Sequence, residues 1–130
     1  MAKSSPLSDP AALEPSPSCA QLELCDSSSH AFELLGKRWT GLIVDLLLQR
    51  PARFSELARA VPRLSERVLA ERLRELEQAG IVERCVAPGP PISVTYTLTE
   101  VGRDLEPAME ALKAWALKHP RRPARAQDAA

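Results

Sequence analysis

The succession of short segments between residues 54 and 98 restricts the fold more than any other feature of this sequence. Two segments with helical spacing of apolar residues are separated only by Pro62-Arg63-Leu64, which predicts a tight turn. Ser55 is predicted to cap the first helix and Ser65 the second. The second helix is predicted to end at Ala79-Gly80, because glycine readily adopts the left-handed conformation that closes a helix. Two helices joined in this way predict a helix-turn-helix.

A strand–turn–strand pattern follows the second of these helices at once. Residues 81–86 and 93–98 are strand-like, and the proline-rich segment between them predicts a rigid hairpin tip. Upstream, one helix is predicted to start after the Asp26–Ser29 cluster, which offers several N-caps, and to run to Gly36; another carries the apolar stripe from Trp39 to Leu47. A last helix is predicted after Thr99, bent at Pro107.

The predicted order of helices and hairpin is that of a winged helix-turn-helix, a mainly α fold with a small β-hairpin. We place this domain at residues 25–119, between a Ser/Pro/Ala-rich arm (1–24) and an Arg/Ala-rich tail (120–130), both expected to be flexible.

Composition limits the function without deciding it. The 17 basic and 17 acidic residues balance, which gives no overall signature of a nucleic-acid-binding protein. Arginines are nevertheless concentrated between residues 50 and 84. No segment is predicted to span a membrane, and a cytoplasmic location is expected. Neither a catalytic motif nor metal-ligand spacing occurs, so we predict no enzyme activity, no metal and no cofactor.

The helix after Ser65 carries the predicted DNA contacts. Its leucines lie on one face and are expected to pack on the core, which leaves charged residues on the opposite face. Arg67, in the first turn, is the candidate for recognising a base edge, because the N-terminal turn of such a helix enters the major groove deepest. Arg74 is expected at a phosphate, and Arg72 either at the DNA backbone or paired with a neighbouring glutamate. The full predicted set is Ser65, Glu66, Arg67, Glu71, Arg72 and Arg74.

These motifs together resemble the HxlR-type regulators, a branch related to the MarR repressors. The resemblance begins at Leu34-Leu35-Gly36-Lys37-Arg38-Trp39-Thr40 and continues through Arg53-Phe54-Ser55-Glu56-Leu57 and Ser65-Glu66-Arg67-Val68-Leu69. It ends with Val94-Thr95-Tyr96, Leu98-Thr99-Glu100 and Gly102, and covers roughly residues 25–117. It implies a transcriptional regulator, a repressor, that binds a palindromic operator in double-stranded DNA.

The resemblance also implies a homodimer whose terminal helices form the interface. The last helix agrees with this independently, since its apolar arc of about 120° is wider than one neighbouring helix needs. The predicted interface residues are Leu105, Met109, Leu112, Trp115 and Ala116.

A cysteine before the first helix has two interpretations. Members of the family carry a cysteine close to this position, and some use it to sense oxidants or electrophiles. Cys25 is one residue away, with Asp26 at the aligned position. The helix N-terminus favours its thiolate, whereas the neighbouring carboxylates oppose it. Cys25 is therefore either a sensor of an oxidant or small-molecule effector or an inert thiol, while Cys85 is expected to be packed.

The competing function is a winged-helix protein-interaction module without DNA binding. The zero net charge and a hairpin tip that contains no lysine or arginine favour this alternative.

Overall fold

The structure is a computed structural model that describes residues 21–123. Its internal contacts define two compact units, with the boundary between Glu33 and Leu34. The predicted arms, 1–24 and 120–130, lie largely outside the described residues. Within residues 21–123 the chain forms α1 (Asp26–Leu35), α2 (Thr40–Gln49), α3 (Phe54–Ala60), α4 (Glu66–Gln78), β1 (Val82–Ala87), β2 (Ser93–Leu98), α5 (Glu100–Arg103) and α6 (Glu106–Lys118).

The first helix begins earlier than its sequence predicts. The serine cluster was expected to precede α1, but it forms the first turn, because the Ser29 N–H donates to the Cys25 carbonyl at 2.9 Å. Cys25 is therefore the residue that immediately precedes the helix.

The core of residues 34–123 forms where the helices pack on the base of the hairpin. Ile43 and Val44 of α2 and Leu69 of α4 are 0% exposed, as expected for the centre of an apolar stripe. The other buried apolar residues are Leu47, Ala52, Leu57, Leu64, Leu73, Leu76, Ile81, Val82, Leu98 and Met109.

The cap of α3 differs from the prediction. Ser55 was expected at the N-cap, but the helix begins one residue earlier, at Phe54, and Arg53 occupies the N-cap. The side chain of Glu56 reaches back and accepts the Arg53 backbone N–H at 2.8 Å. A carboxylate three residues into the helix thus satisfies a free N–H, so no serine cap is needed.

The hairpin has the predicted second strand, and β1 is displaced by one residue from its predicted range. The strands are antiparallel, with register from Val82 opposite Leu98 to Ala87 opposite Ser93. A pairing that the sequence does not predict joins them to the segment after α2: Ala52 and Tyr96 exchange two backbone hydrogen bonds of 3.0 and 2.8 Å. This bridge anchors the base of the hairpin next to α3.

The single bent helix predicted after Thr99 is two helices. Pro107 has no N–H to donate, and its ring would clash with a carbonyl one turn earlier, so α5 ends at Arg103 and α6 begins at Glu106. Of the helices within residues 21–123, none has the length and apolarity needed to cross a membrane.

Candidate nucleic-acid interface

The helix-turn-helix consists of α3, the turn at residues 61–65 and α4. Ser65 caps α4 as predicted, because its Oγ accepts the Val68 N–H at 3.1 Å. At the other end, Gly80 has a φ of 77°, the left-handed conformation expected from the sequence. Leu69, Leu73 and Leu76 are buried, so the opposite face of α4 points away from the core.

Arg67 lies on this outward face, in the first turn of α4. Its side chain is 84% exposed, and the nearest carboxylate oxygen, Oε2 of Glu71, is 3.8 Å from Nη1. An ion pair at that distance on an exposed surface is weak, so the guanidinium is free to rotate towards a ligand. Ser65 and Glu66 are also exposed at this end of the helix.

Arg74 lies two turns further along the same face and is exposed. No carboxylate within residues 21–123 lies within salt-bridge distance of its side chain. Arg74 and Arg67 therefore present two positive charges along one side of α4, a spacing that suits a polyanion with regularly spaced charges.

Arg72 has a different environment, because it lies on the flank of α4. Its side chain is only 19% exposed, and Nε donates a hydrogen bond of 3.0 Å to the Arg38 carbonyl. Its Nη1 lies 3.4 Å from Glu75 Oε1 and 3.9 Å from Glu71 Oε1. The sequence left two alternatives for Arg72, the DNA backbone and a glutamate partner. Its contacts with Glu71 and Glu75 correspond to the second.

Three further exposed arginines, which the predicted set did not include, lie in or next to the helix-turn-helix. Arg53 precedes α3, Arg59 lies in its last turn, and Arg63 lies in the turn before α4. The concentration of arginine between residues 50 and 84 was the sequence signal for them. Together with Arg67 and Arg74 they belong to residues 50–84, where eight arginines face six glutamates, a local excess of positive charge that the balanced composition hides.

The hairpin contributes little charge to this surface. Arg84 in β1 is its one basic residue, and the tip is proline-rich, with Val86 (51%) and Ile92 (71%) exposed beside it.

Cys25 lies at the N-terminus of α1 and is exposed. The backbone N–H of Ser28, followed by that of Ser27, lowers the pKa of its thiol, since both stabilise the thiolate. Cys85 is also exposed, so the expectation that it would be packed is wrong: β1 is buried only at Val82 and then extends beyond the core. Cys19 lies outside the described residues. Within residues 21–123, no three His, Cys, Asp or Glu side chains cluster in a way that would hold a metal ion.

The predicted interface residues of the last helix fall into two groups. Met109 is 7% exposed, and Leu105 packs against the same core, so both serve the protomer itself. Leu112 (57%) and Trp115 (62%) are exposed, as is Ala116. These three remain available to a partner.

A shallow apolar groove lies between α2 and α6. It has a volume of about 380 Å³ and is lined by Leu42, Leu112 and Ala116, among others. An ion pair of 3.2 Å between Asp45 and Lys113 links the two helices beside it, and Asp45 raises the pKa of the lysine.

Comparison with known proteins places these features in a family. Residues 34–123 match the model of the HxlR-like helix-turn-helix family. The chain is 50% identical over 93 residues to the HTH-type transcriptional regulator YodB of Bacillus subtilis, covering 72% of this chain and 83% of YodB.

Solved structures of YodB are similar to this fold. The reduced form has a TM-score of 0.68 at 45% identity, covering 78% of this chain and 100% of YodB. The quinone-bound form of YodB has a TM-score of 0.64 at 46% identity, covering 73% and 99% of the two chains. The winged-helix fold and the family resemblance predicted from the motifs are therefore confirmed.

Proposed function

Because the chain belongs to the HxlR-like helix-turn-helix family of transcriptional regulators, we propose that it acts as a repressor that binds, as a homodimer, a palindromic operator in double-stranded DNA. The observation that carries this proposal is the outward face of α4, where Arg67 and Arg74 are exposed and have no strong partner among residues 21–123. No catalytic activity is part of the proposed function.

In the proposed complex, α4 of each protomer enters the major groove by its N-terminal turn. Arg67 contacts a base edge, because its fork of donors matches the two acceptors of a guanine. Ser65, Glu66 and Glu71 border that contact, and Arg74 lies at a phosphate. A two-fold dimer places the two α4 helices in successive major grooves, roughly 34 Å apart.

The dimer is proposed to form through the exposed apolar side of α6. Leu112, Trp115 and Ala116 would be covered by the partner, together with the neighbouring groove against α2. Leu105 and Met109 support this surface from the protomer core.

Selection from a randomised duplex library tests the DNA-binding proposal. We expect an enriched inverted repeat with half-sites about one helical turn apart. Arg67→Ala should lose preference at one base pair per half-site, about 1–3 kcal/mol of discrimination. Enrichment of no sequence, or binding that does not depend on salt by a folded dimer, would instead favour the protein-interaction module.

We further propose that Cys25 makes the repressor responsive to electrophiles, as the quinone-bound structure of the similar YodB suggests. The Cys25 thiolate would add to an electron-poor ring carbon of a quinone. A C–S bond forms as the ring C=C π bond opens and its electrons move to the conjugated carbonyl oxygen. The proton on the attacked carbon and one proton from solvent then go to the two oxygens, which gives a hydroquinone adduct. No further oxidant is needed.

The test compares the release of DNA on treatment with a benzoquinone. Wild type and Cys85→Ser should release the selected duplex, whereas Cys25→Ser should retain it. Equal release by Cys25→Ser would remove Cys25 from the mechanism.

A further inference from the structure

The connection between α1 and α2 contacts the flank of α4, far away in sequence. The Arg38 carbonyl accepts the Nε–H of Arg72 at 3.0 Å, across 34 residues. Lys37 Nζ donates to Glu75 Oε2 at 3.0 Å, across 38 residues. Since Arg72 also contacts Glu75, the four residues form one polar network that joins this connection to α4.

The shape of the connection fixes where the network's acceptor lies. Trp39 has a φ of 80°, which a residue with a side chain adopts only where its surroundings hold it. Its ring packs against the core and carries the Arg38 guanidinium 4.8 Å above its centroid. The Thr40 N–H closes the turn on the Lys37 carbonyl at 3.2 Å. The Arg38 carbonyl is therefore a fixed acceptor.

The apolar packing of α4 defines the rotation of this helix about its own axis less sharply than a hydrogen bond does. Leu69, Leu73 and Leu76 hold the helix through non-directional contacts, which tolerate a small rotation about the helix axis. A hydrogen bond to a carbonyl is directional and does not tolerate such a rotation. The network on one flank therefore determines the direction in which the opposite, outward face points.

We infer that Arg72, Glu75 and Lys37 are positioning residues that orient α4 for sequence-specific DNA recognition. This inference rests on the proposed function. Arg72 acts through the Arg38 carbonyl, and Glu75 is the link between Arg72 and Lys37. The hydrogen bond from Lys37 is the largest effect on the pKa of Glu75 and lowers it; desolvation opposes this, and the charges of Lys37 and then of Arg72 lower the pKa further.

Glu75 allows a test in which the two roles predict opposite signs. A carboxylate close to DNA repels phosphates, so removing its charge without any change of orientation should strengthen binding to every duplex. Loss of a positioning contact should instead weaken binding to the selected duplex only. The matched control is Glu77→Gln, which removes the same charge from an exposed position of α4 outside the network.

The experiment measures the Kd of each variant by fluorescence anisotropy, on the selected duplex and on a scrambled duplex of the same composition. We expect Glu75→Gln to lower the ratio of specific to non-specific affinity roughly fivefold, the net scale of one typical intramolecular hydrogen bond. Glu77→Gln should leave the ratio unchanged. Arg72→Lys should also lower the ratio while the salt dependence stays that of wild type, because it keeps the charge but cannot reproduce the guanidinium contacts.

Lys37→Met completes a double-mutant cycle with Glu75→Gln. If the two residues act as one unit, the double variant should lose no more specificity than either single variant. An unchanged or higher ratio in Glu75→Gln, or additive losses in the cycle, would overturn the inference. Wild type that fails to distinguish the two duplexes would instead refute the proposed function, and the inference with it.

Discussion

Replacing Arg74 by glutamine should weaken DNA binding by an amount that depends on salt and not on sequence. Arg74 is exposed on the outward face of α4, without a carboxylate partner among residues 21–123. Glutamine keeps much of the side chain's length and polarity while removing the charge. The positive charge is therefore the property that the substitution tests.

The magnitude follows from the number of phosphates that the side chain neutralises. Each phosphate contact contributes about 0.9 to the slope of log Kobs against log salt concentration, and a dimer makes the Arg74 contact twice. Arg74→Gln should therefore reduce the slope by about 1.8. Between about 50 and 200 mM KCl, wild type should lose about tenfold more affinity than the variant.

Fluorescence anisotropy on the selected and scrambled duplexes measures this slope. Arg103→Gln is the matched control, because it removes one exposed guanidinium from α5, outside the helix-turn-helix. Its slope should remain that of wild type. If Arg74→Gln retains the wild-type slope, or weakens only the selected duplex, Arg74 does not contact a phosphate and the assignment of this face fails.

Three other expectations follow from the structure. The guanidinium of Arg50, followed by a backbone N–H, lowers the pKa of Glu56 to about 2, below its ordinary value of 4.5. The ionised Glu56 carboxylate therefore stabilises the folded state fully above pH 4.5, and this stabilisation is lost as the pH falls through about 2. Thermal unfolding should accordingly show Glu56→Gln less stable than wild type at neutral pH and equal to it near pH 2. Cys25 should react with iodoacetamide faster than Cys85 at neutral pH, because its thiol pKa is lowered; equal rates by mass spectrometry would contradict this. Trp115→Glu should convert the dimer to a folded monomer in light scattering, since it places a charge in the proposed interface, and an unchanged mass would exclude that interface.

Local signals account for the parts of the fold that the sequence predicts well. The fourth helix is an example: its cap, its leucine stripe and its terminal glycine are all contained in residues 65–80. Each signal acts within a few residues along the chain, so no knowledge of distant contacts is needed. The second strand is similar, because alternation alone defines Ser93–Leu98.

The features that the sequence does not predict depend on distant partners or on a choice between local ones. The Ala52–Tyr96 bridge is a single pair and has no periodicity that could reveal it. Glu56 accepts the N–H of Arg53, the residue before α3, so the helix starts ahead of Ser55, which lies inside it. Arg72 has the same helical spacing signal as any surface arginine, and its partner lies 34 residues earlier.

The same distant contacts bear on the strongest argument against DNA binding, the zero net charge. A balanced total says little about a surface when acidic residues are already paired. Glu56 is paired with Arg50, and Glu75 with Lys37, at 3.0 Å in both cases. These carboxylates do not neutralise Arg67 or Arg74 on the outward face of α4. Each pair removes one charge of either sign, so the excess of eight arginines over six glutamates in residues 50–84 is what makes this part of the chain more positive than the composition indicates. Arg74→Gln tests that charge, and Glu75→Gln tests the orientation of the face that carries it.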